Sequence, residues 1–209
     1  MPLQNRVTPT SQLCANTSRG TFMGNRGLLH NDHRQITRHW ALERWITCVL
    51  EFKGVRRQVM SPGRYTELFF LDEATSYAAG HRPCSYCRRA SYKHFQTLWA
   101  QVFPEADRSA VGIDRVLHGE RLNADGSQRT WRARLGSLPD GTMIEADGQA
   151  VLLWRGKQWR WSFEGYEPLR EKMSPDEQVV VLTPEHVVQL FRAGLSADLV
   201  VHRSATVGA

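Results

Sequence analysis

The sequence of 209 residues predicts an α+β fold, with strands and helices around a CxxC motif in the first half and a β-rich second half. The side chains of residues 45–52 alternate between two faces, as expected of a strand. Residues 88–102 repeat apolar side chains at helical spacing. After residue 126, short apolar runs are separated by turns rich in Asp, Gly and Pro, as in a β-meander.

The first half is predicted to contain a glycine turn followed by three strands. The turn covers residues 23–27, and the strands cover residues 45–52, 55–60 and 65–70. The first two strands form a hairpin about the Lys-Gly pair between them. Cys48 lies in the first strand on a face with apolar neighbours, so it is either a core residue or a metal ligand.

Three helices are predicted in the first half, and residues that start or stop helices mark their ends. Their ranges are 73–79, 88–102 and about 110–122. Asp72 can cap the first helix and Gly80 can end it, while Pro104 ends the second.

The second half is predicted to be a β-meander followed by one late helix. Its clearest strands cover residues 131–135, 151–154 and 158–163. Thr183 is the predicted N-cap of the late helix, with Pro184 at the first helical position and Gly194 after the end. The change of pattern divides the chain into residues 1–125 and 126–209, although both regions can form one continuous domain.

Composition and charge indicate what kind of partner and cellular environment the sequence favours. Lys and Arg number 27 against 21 Asp and Glu, and the net charge of +6 favours a polyanionic partner such as DNA or RNA. No run approaches the ~18 apolar residues of a membrane helix, and the first residues lack the apolar core of a signal peptide. We therefore expect a soluble, cytoplasmic protein with no membrane partner, whose four cysteines are thiols or metal ligands.

Cys84 and Cys87 form a C-x2-C motif, the most informative feature of the sequence. Two thiolates at this spacing can bind one tetrahedral metal ion. The helix predicted after Cys87 favours the thiolate form, which also fits a reactive redox thiol. Redox motifs follow a buried strand of a βαβ unit, whereas a helix is predicted here, so metal binding is favoured. The remaining interpretation is a pair of ordinary thiols.

The segment around this motif resembles a known family over residues 68–89. The matching residues are, in order, Leu68-Phe-Phe70, Glu73-Ala74, and Ala78-Ala-Gly-His-Arg-Pro-Cys84 with Cys87. They resemble the second half of the zinc-binding domain of Ada-type DNA-repair (methylphosphotriester) proteins. In that family a phenylalanine-rich strand leads into a short helix and then a Gly-aromatic-Arg-Pro-Cys-x-x-Cys run. The resemblance implies a zinc knuckle at these two cysteines.

In that family the zinc has four cysteine ligands, two of them an upstream C-x3-C pair on a β-hairpin. One of that pair accepts a methyl group from a DNA phosphotriester. Cys48 can stand for one member and is the third predicted ligand, but Phe52 occupies the position four residues later. The resemblance therefore implies neither the four-cysteine site nor its methyl transfer here. The fourth position stays open between Cys14, His30, His39, His81, His118 and water.

Arg82, Arg88 and Arg89 flank the cysteines, either as a basic surface that contacts nucleic-acid phosphates or as ordinary solvated residues. The favoured function is a zinc-binding, nucleic-acid-associated protein with a structural metal site. One alternative is a metal-dependent hydrolase with an open zinc position and His30 or His118 in its site. The second alternative is a globular domain without a metal.

Overall fold

The computed structural model describes residues 1–54 and 58–205. Within these residues the chain forms two six-stranded sheets and four α-helices, which confirms the α+β fold class predicted from the sequence. Among the described residues, no helix combines the length and the apolar character needed to cross a membrane.

The first sheet positions the cysteines. Its strands are β1 (Gln4–Val7), β2 (Leu13–Ala15), β3 (Phe22–Asn25), β4 (Ile46–Cys48), β5 (Leu68–Phe70) and β6 (Arg82–Pro83). Their spatial order is β2-β1-β5-β3-β4-β6, so the two strands that lead to cysteines, β4 and β6, lie side by side. These two strands are parallel, whereas β3 is antiparallel to both β4 and β5. The sheet thus joins segments that are far apart in the sequence.

β3 lies where the sequence predicted a turn at residues 23–27, so that prediction is wrong for most of its length. A Cβ atom on Gly24 would lie 2.2 Å from the carbonyl oxygen of Ile46 and 2.9 Å from the ring of Phe70. Glycine is therefore needed for close packing between strands rather than for a turn.

β4 is shorter than the predicted strand at residues 45–52 and has different partners. It pairs with β3 and β6 instead of a hairpin partner that follows it in the sequence. The predicted partner, residues 55–60, falls partly on residues 55–57, which lie outside the described residues, and residues 58–60 form no strand. β5 confirms the third predicted strand in its C-terminal half.

The second sheet is an antiparallel structure. Its strands are β7 (Trp131–Arg134), β8 (Met143–Ala146), β9 (Gln149–Trp154), β10 (Lys157–Ser162), β11 (Gly165–Pro168) and β12 (Gln178–Val181). Their order is β11-β10-β9-β8-β12-β7, and the consecutive strands β8 to β11 confirm the predicted meander. The turns Asp147-Gly148 and Arg155-Gly156 have positive φ at both residues, as two-residue hairpins require.

The helices are α1 (Glu73–Ala78), α2 (Arg89–Val102), α3 (Ala110–Arg121) and α4 (Glu185–Arg192). Asp72 caps α1 as predicted, since its Oδ1 accepts a 2.8 Å hydrogen bond from the N–H of Thr75. α4 confirms the late helix, but Pro184 is its N-cap instead of Thr183. The Thr183 hydroxyl accepts a 2.9 Å hydrogen bond from the N–H of Met143 and so serves the second sheet.

One hydrophobic core joins residues 1–125 to residues 126–209. Its buried side chains come from α1, α2, α3, the second sheet and α4, and include Phe95, Trp99, Leu117, Leu152 and Phe191. A smaller apolar cluster supports β1, β3 and β5. α2 therefore extends from the main core to the end of the first sheet, where the cysteines lie.

Candidate metal centre

Three cysteines converge where β4, β6 and α2 meet. Cys48 is the last residue of β4, Cys84 directly follows β6, and Cys87 lies two residues before α2. The N–H of Cys84 donates a 2.9 Å hydrogen bond to the carbonyl of Thr47, which continues the parallel pairing of the two strands. This register carries Cys48 and Cys84 to the same end of the sheet, beside the loop that holds Cys87.

The Sγ atoms of Cys48, Cys84 and Cys87 all lie within 4.8 Å of one another. The first two cysteines are buried, the third is partly exposed, and all three are free thiols. Around a tetrahedral zinc ion, thiolates would be about 3.8 Å apart, because each Zn–S bond is ~2.3 Å long. The three sulfur atoms are therefore placed to hold one metal ion after small adjustments.

Hydrogen bonds within the loop favour a thiolate at Cys84. The N–H of Tyr86 donates to Cys84 Sγ at 3.4 Å, and the N–H of Cys87 is directed at the same atom. A hydrogen bond from the Cys48 thiol, together with these N–H groups, lowers the pKa of Cys84 to about 5. The same shared hydrogen bond, and then burial, raises the pKa of Cys48. A metal cation would displace the protons that remain.

Among the described residues, the cysteine cluster supplies three side-chain ligands and no fourth. Within residues 1–54 and 58–205, no fourth Cys, His, Asp or Glu side chain lies within 4.8 Å of all three sulfur atoms. The other segments, Val55-Arg-Arg57 and Thr206-Val-Gly-Ala209, contain none of these residue types. Side chains of these four types therefore fill three positions around a tetrahedral ion in the described residues and leave the fourth open.

Two of the histidines considered as ligands are committed to other partners. His30 is buried, with Nδ1 2.6 Å from the Thr66 hydroxyl and Nε2 3.2 Å from the carbonyl of Ser61. His81 is fully buried, and its Nε2 accepts a 3.3 Å hydrogen bond from Arg26. Burial, reinforced by the Arg26 charge, holds the pKa of His81 well below its ordinary value. Both residues therefore have structural roles beside the first sheet.

The remaining side-chain candidates also lie outside the cysteine cluster. His118 packs its ring against those of Trp40 and Trp45. His39 is exposed, and Cys14 lies in β2 at the opposite edge of the sheet from β6. Of the alternatives left open by the sequence, water is the one that agrees with this geometry.

A pocket of about 540 Å³ opens onto the three cysteines. Its apolar and aromatic lining includes Ile46, Leu50, Phe52, Tyr65, Phe69 and Tyr86. Its polar lining includes Asn25, Arg44, Lys53 and Glu67. Neither His30 nor His118 lines it, so the hydrolase site expected to contain one of them is not formed.

The chain matches no protein-family model, no curated protein and no solved structure. What the site can do chemically follows from its donor atoms and its pocket. Three thiolates favour a soft or borderline metal ion such as zinc, and the pocket leaves room for a further ligand beside it.

Two of the three arginines expected on a basic surface are buried. Arg82 donates from Nε and Nη2 to the Asp114 carboxylate at 2.9 and 2.6 Å, and Arg88 donates to the carboxylate of Glu73. A buried guanidinium requires such a partner, so these pairs attach the segment that holds Cys84 and Cys87 to α3 and α1. The prediction that all three arginines are available at the surface is therefore wrong, since of the three Arg89 alone is exposed.

Sequence reasoning missed the residues at the mouth of the pocket. The ring centroids of Phe52 and Tyr86 are 5.0 Å apart, and Lys53 Nζ donates to the Tyr86 hydroxyl at 3.2 Å. Phe52 thus forms a wall at the position where the resemblance implies another cysteine. This replacement was the sequence signal for an open site, because an aromatic side chain in place of a metal ligand leaves a coordination position open.

Proposed function

We propose that the protein binds one zinc ion through Cys48, Cys84 and Cys87, and that the fourth coordination position binds a ligand held in the pocket. The supporting observation is that the three Sγ atoms lie within 4.8 Å of one another, with no fourth side-chain ligand among the described residues. Zinc fits this donor set because it accepts thiolate ligands, prefers tetrahedral coordination and has no redox chemistry of its own.

The open position supports a functional role for the metal in addition to the structural role expected from the sequence. Structural zinc sites are closed by four protein ligands, whereas zinc sites that act on substrates keep one position exchangeable. The metal would also tie β4 and β6 to the start of α2. Hydrolysis is the less supported use, because three thiolates make the ion electron-rich and no histidine among the described residues lines the pocket.

We further propose that residues 68–89 are related to the zinc-binding domain of Ada-type DNA-repair proteins. The order of β5, α1, β6 and the cysteine loop supports this relationship, since it is the order that the resemblance implies. The proposal excludes the methyl transfer of that family, because Phe52 stands where its four-cysteine site needs a ligand.

Elemental analysis of the purified protein tests the metal site. We expect about one zinc ion per chain, and roughly a hundredfold weaker binding in competition with a chromogenic chelator for Cys48→Ser or Cys84→Ser. The size of the loss follows because ~10–16 kcal/mol of zinc-binding free energy is shared among a few ligands. Cys14→Ser is the matched control, because that cysteine lies outside the cluster. A protein without zinc, or zinc bound equally by all variants, would contradict the proposal and favour the metal-free alternative.

A second candidate function is binding of DNA or RNA by the surface around the cysteine loop and the start of α2. The net charge is +6, and Arg89 and Lys93 are exposed four residues apart in the first turns of α2. Tyr86, with 67% of its surface exposed, lies close to them in the sequence and can stack on a base. Cations on one helix face beside an exposed aromatic ring are typical of nucleic-acid-binding surfaces.

Fluorescence anisotropy with labelled single-stranded DNA, duplex DNA and RNA, over a salt series, tests this second candidate. For duplex DNA the double variant Arg89→Gln and Lys93→Gln should reduce the slope of log K against log salt by about 1.8, because each phosphate contact contributes ~0.9. Arg132→Gln, an exposed arginine of β7, should leave the slope unchanged. Absence of binding even at low salt would remove this candidate without affecting the metal site.

A further inference from the structure

The pocket over the cysteines is larger than one water molecule needs. Its volume of about 540 Å³ falls within the ~300–1,000 Å³ common for small-molecule sites. Leu50 and Tyr86 line it although 48% and 67% of their surfaces are exposed. Large apolar side chains exposed together around a concave site indicate a surface that an apolar molecule covers. The pocket is therefore shaped for an organic ligand.

The three thiolates determine which donor atom such a ligand presents to the metal. A divalent ion with three thiolates carries a net charge of about −1 and is electron-rich, so it prefers a soft sulfur donor to a hard oxygen donor. The apolar walls act in the same direction, because strongly hydrated oxygen anions lose more free energy on entering them. Both preferences select a thiolate.

Two cationic residues line the same pocket. Arg44 and Lys53 are both exposed, and Lys53 Nζ is held at the mouth by its 3.2 Å hydrogen bond to the Tyr86 hydroxyl. A fourth thiolate would change the charge of the centre from about −1 to about −2, and nearby cations stabilise such a charge where water is partly excluded. Glu67 also lines the pocket, so the two cations are only partly offset by protein charge.

We propose that the fourth ligand is the thiolate of a small organic thiol, with its apolar body against Leu50, Phe52 and Tyr86 and its charge offset by Arg44 and Lys53. This inference rests on the proposed zinc site. On binding, the bond between the metal and the water in the fourth position breaks together with the S–H bond of the thiol, a metal–sulfur bond forms, and the water molecule and one proton pass to the solvent. The exchange involves no oxidation or reduction.

Replacement of zinc by cobalt(II) gives a direct test, because thiolate-to-cobalt charge-transfer absorption grows with the number of thiolate ligands. Titration of the cobalt protein with benzyl mercaptan should increase this absorption by about one third, as three thiolates become four. Benzyl alcohol, which differs only in the donor atom, should produce no such increase. Tyr86→Ala should weaken benzyl mercaptan binding about tenfold, through loss of the ring contact, and 2-mercaptoethanol binding much less, through release of the Lys53 ammonium alone. Val111→Ala, an exposed apolar residue of α3 outside the pocket lining, is the control.

Arg44→Gln combined with Lys53→Gln tests the charge argument. This variant should still take up cobalt, because its three cysteines are intact, but bind both thiols about tenfold more weakly, with less dependence on salt than the unaltered protein. Cobalt uptake without a spectral response to either thiol would overturn this inference and leave the metal site standing. An equal response to benzyl alcohol would also overturn it. Failure to take up cobalt would overturn the metal site and this inference together.

Discussion

The pair formed by Arg82 and Asp114 shows how a residue beside the candidate site is committed to the fold. Only 1% of the Arg82 side chain and 7% of the Asp114 side chain are exposed. Burial raises the pKa of Asp114, and the two hydrogen bonds from Arg82 oppose this shift. The sequence around Cys84 predicted a surface arginine because its partner lies 32 residues away, where no local pattern reveals it.

Substitution of Asp114 tests this structural role. Asp114→Asn should lower the free energy of unfolding by roughly 3–5 kcal/mol, because it leaves a buried guanidinium without its countercharge. Asp176→Asn, which removes one partner of an exposed pair with Arg134, should cost at most about 1 kcal/mol. Urea unfolding followed by tryptophan fluorescence measures both changes. Equal, small losses in the two variants would show that the buried pair does not stabilise the fold.

At the candidate site, the part set by local spacing was predictable and the part set by distant contacts was not. Cys84 and Cys87 were predicted because a C-x2-C motif carries its geometry in four consecutive residues. Cys48 was predicted from its strand and the family resemblance, and the structure places it with the other two. The pocket residues Arg44 and Lys53 were missed, since they meet Cys84 and Cys87 only where β4 pairs with β6.

At the scale of elements, hairpins with local turn signals were predicted better than strands that pair at long range. The meander of β8 to β11 depends on turns such as Asp147-Gly148, whose positive φ values are encoded in adjacent residues. β4 instead pairs with β3 across a long connection and with β6, which is not its neighbour in the sequence. Alternation reveals that a segment is a strand, but it does not identify the partner strand.

Gly24 illustrates the same limit within one strand. A glycine in an apolar segment predicts a turn, because glycine adopts turn conformations easily. In the structure, Gly24 is needed for a different property, because β3 passes so close to β4 and the ring of Phe70 that no side chain fits there. That requirement exists only after the sheet has formed, so no local reading of residues 23–27 could have found it.

At the scale of the whole molecule, the candidate metal centre lies outside the main hydrophobic core. That core includes Phe95 and Trp99 of α2 and buried residues of the second sheet, and the cysteines do not belong to it. The cysteines instead join the end of the first sheet to the start of α2. A metal ion there would stabilise the junction between these parts, while the core itself would form without the metal.

Removal of the proposed zinc ion should therefore lower thermal stability without abolishing the cooperative fold. At a free zinc concentration of ~1,000 Kd the ion adds about 4 kcal/mol, which for a chain of this size raises Tm by roughly 10 °C. Calorimetry with zinc or with a strong chelator measures this difference, which Cys14→Ser should keep and Cys48→Ser, with its hundredfold weaker binding, should reduce to about a third. Far-UV circular dichroism of the chelated protein should retain most of its signal, because the core contacts of α2 do not involve the metal. Identical Tm values for the unaltered protein in both buffers would contradict metal binding, and complete unfolding by the chelator would contradict an independent core.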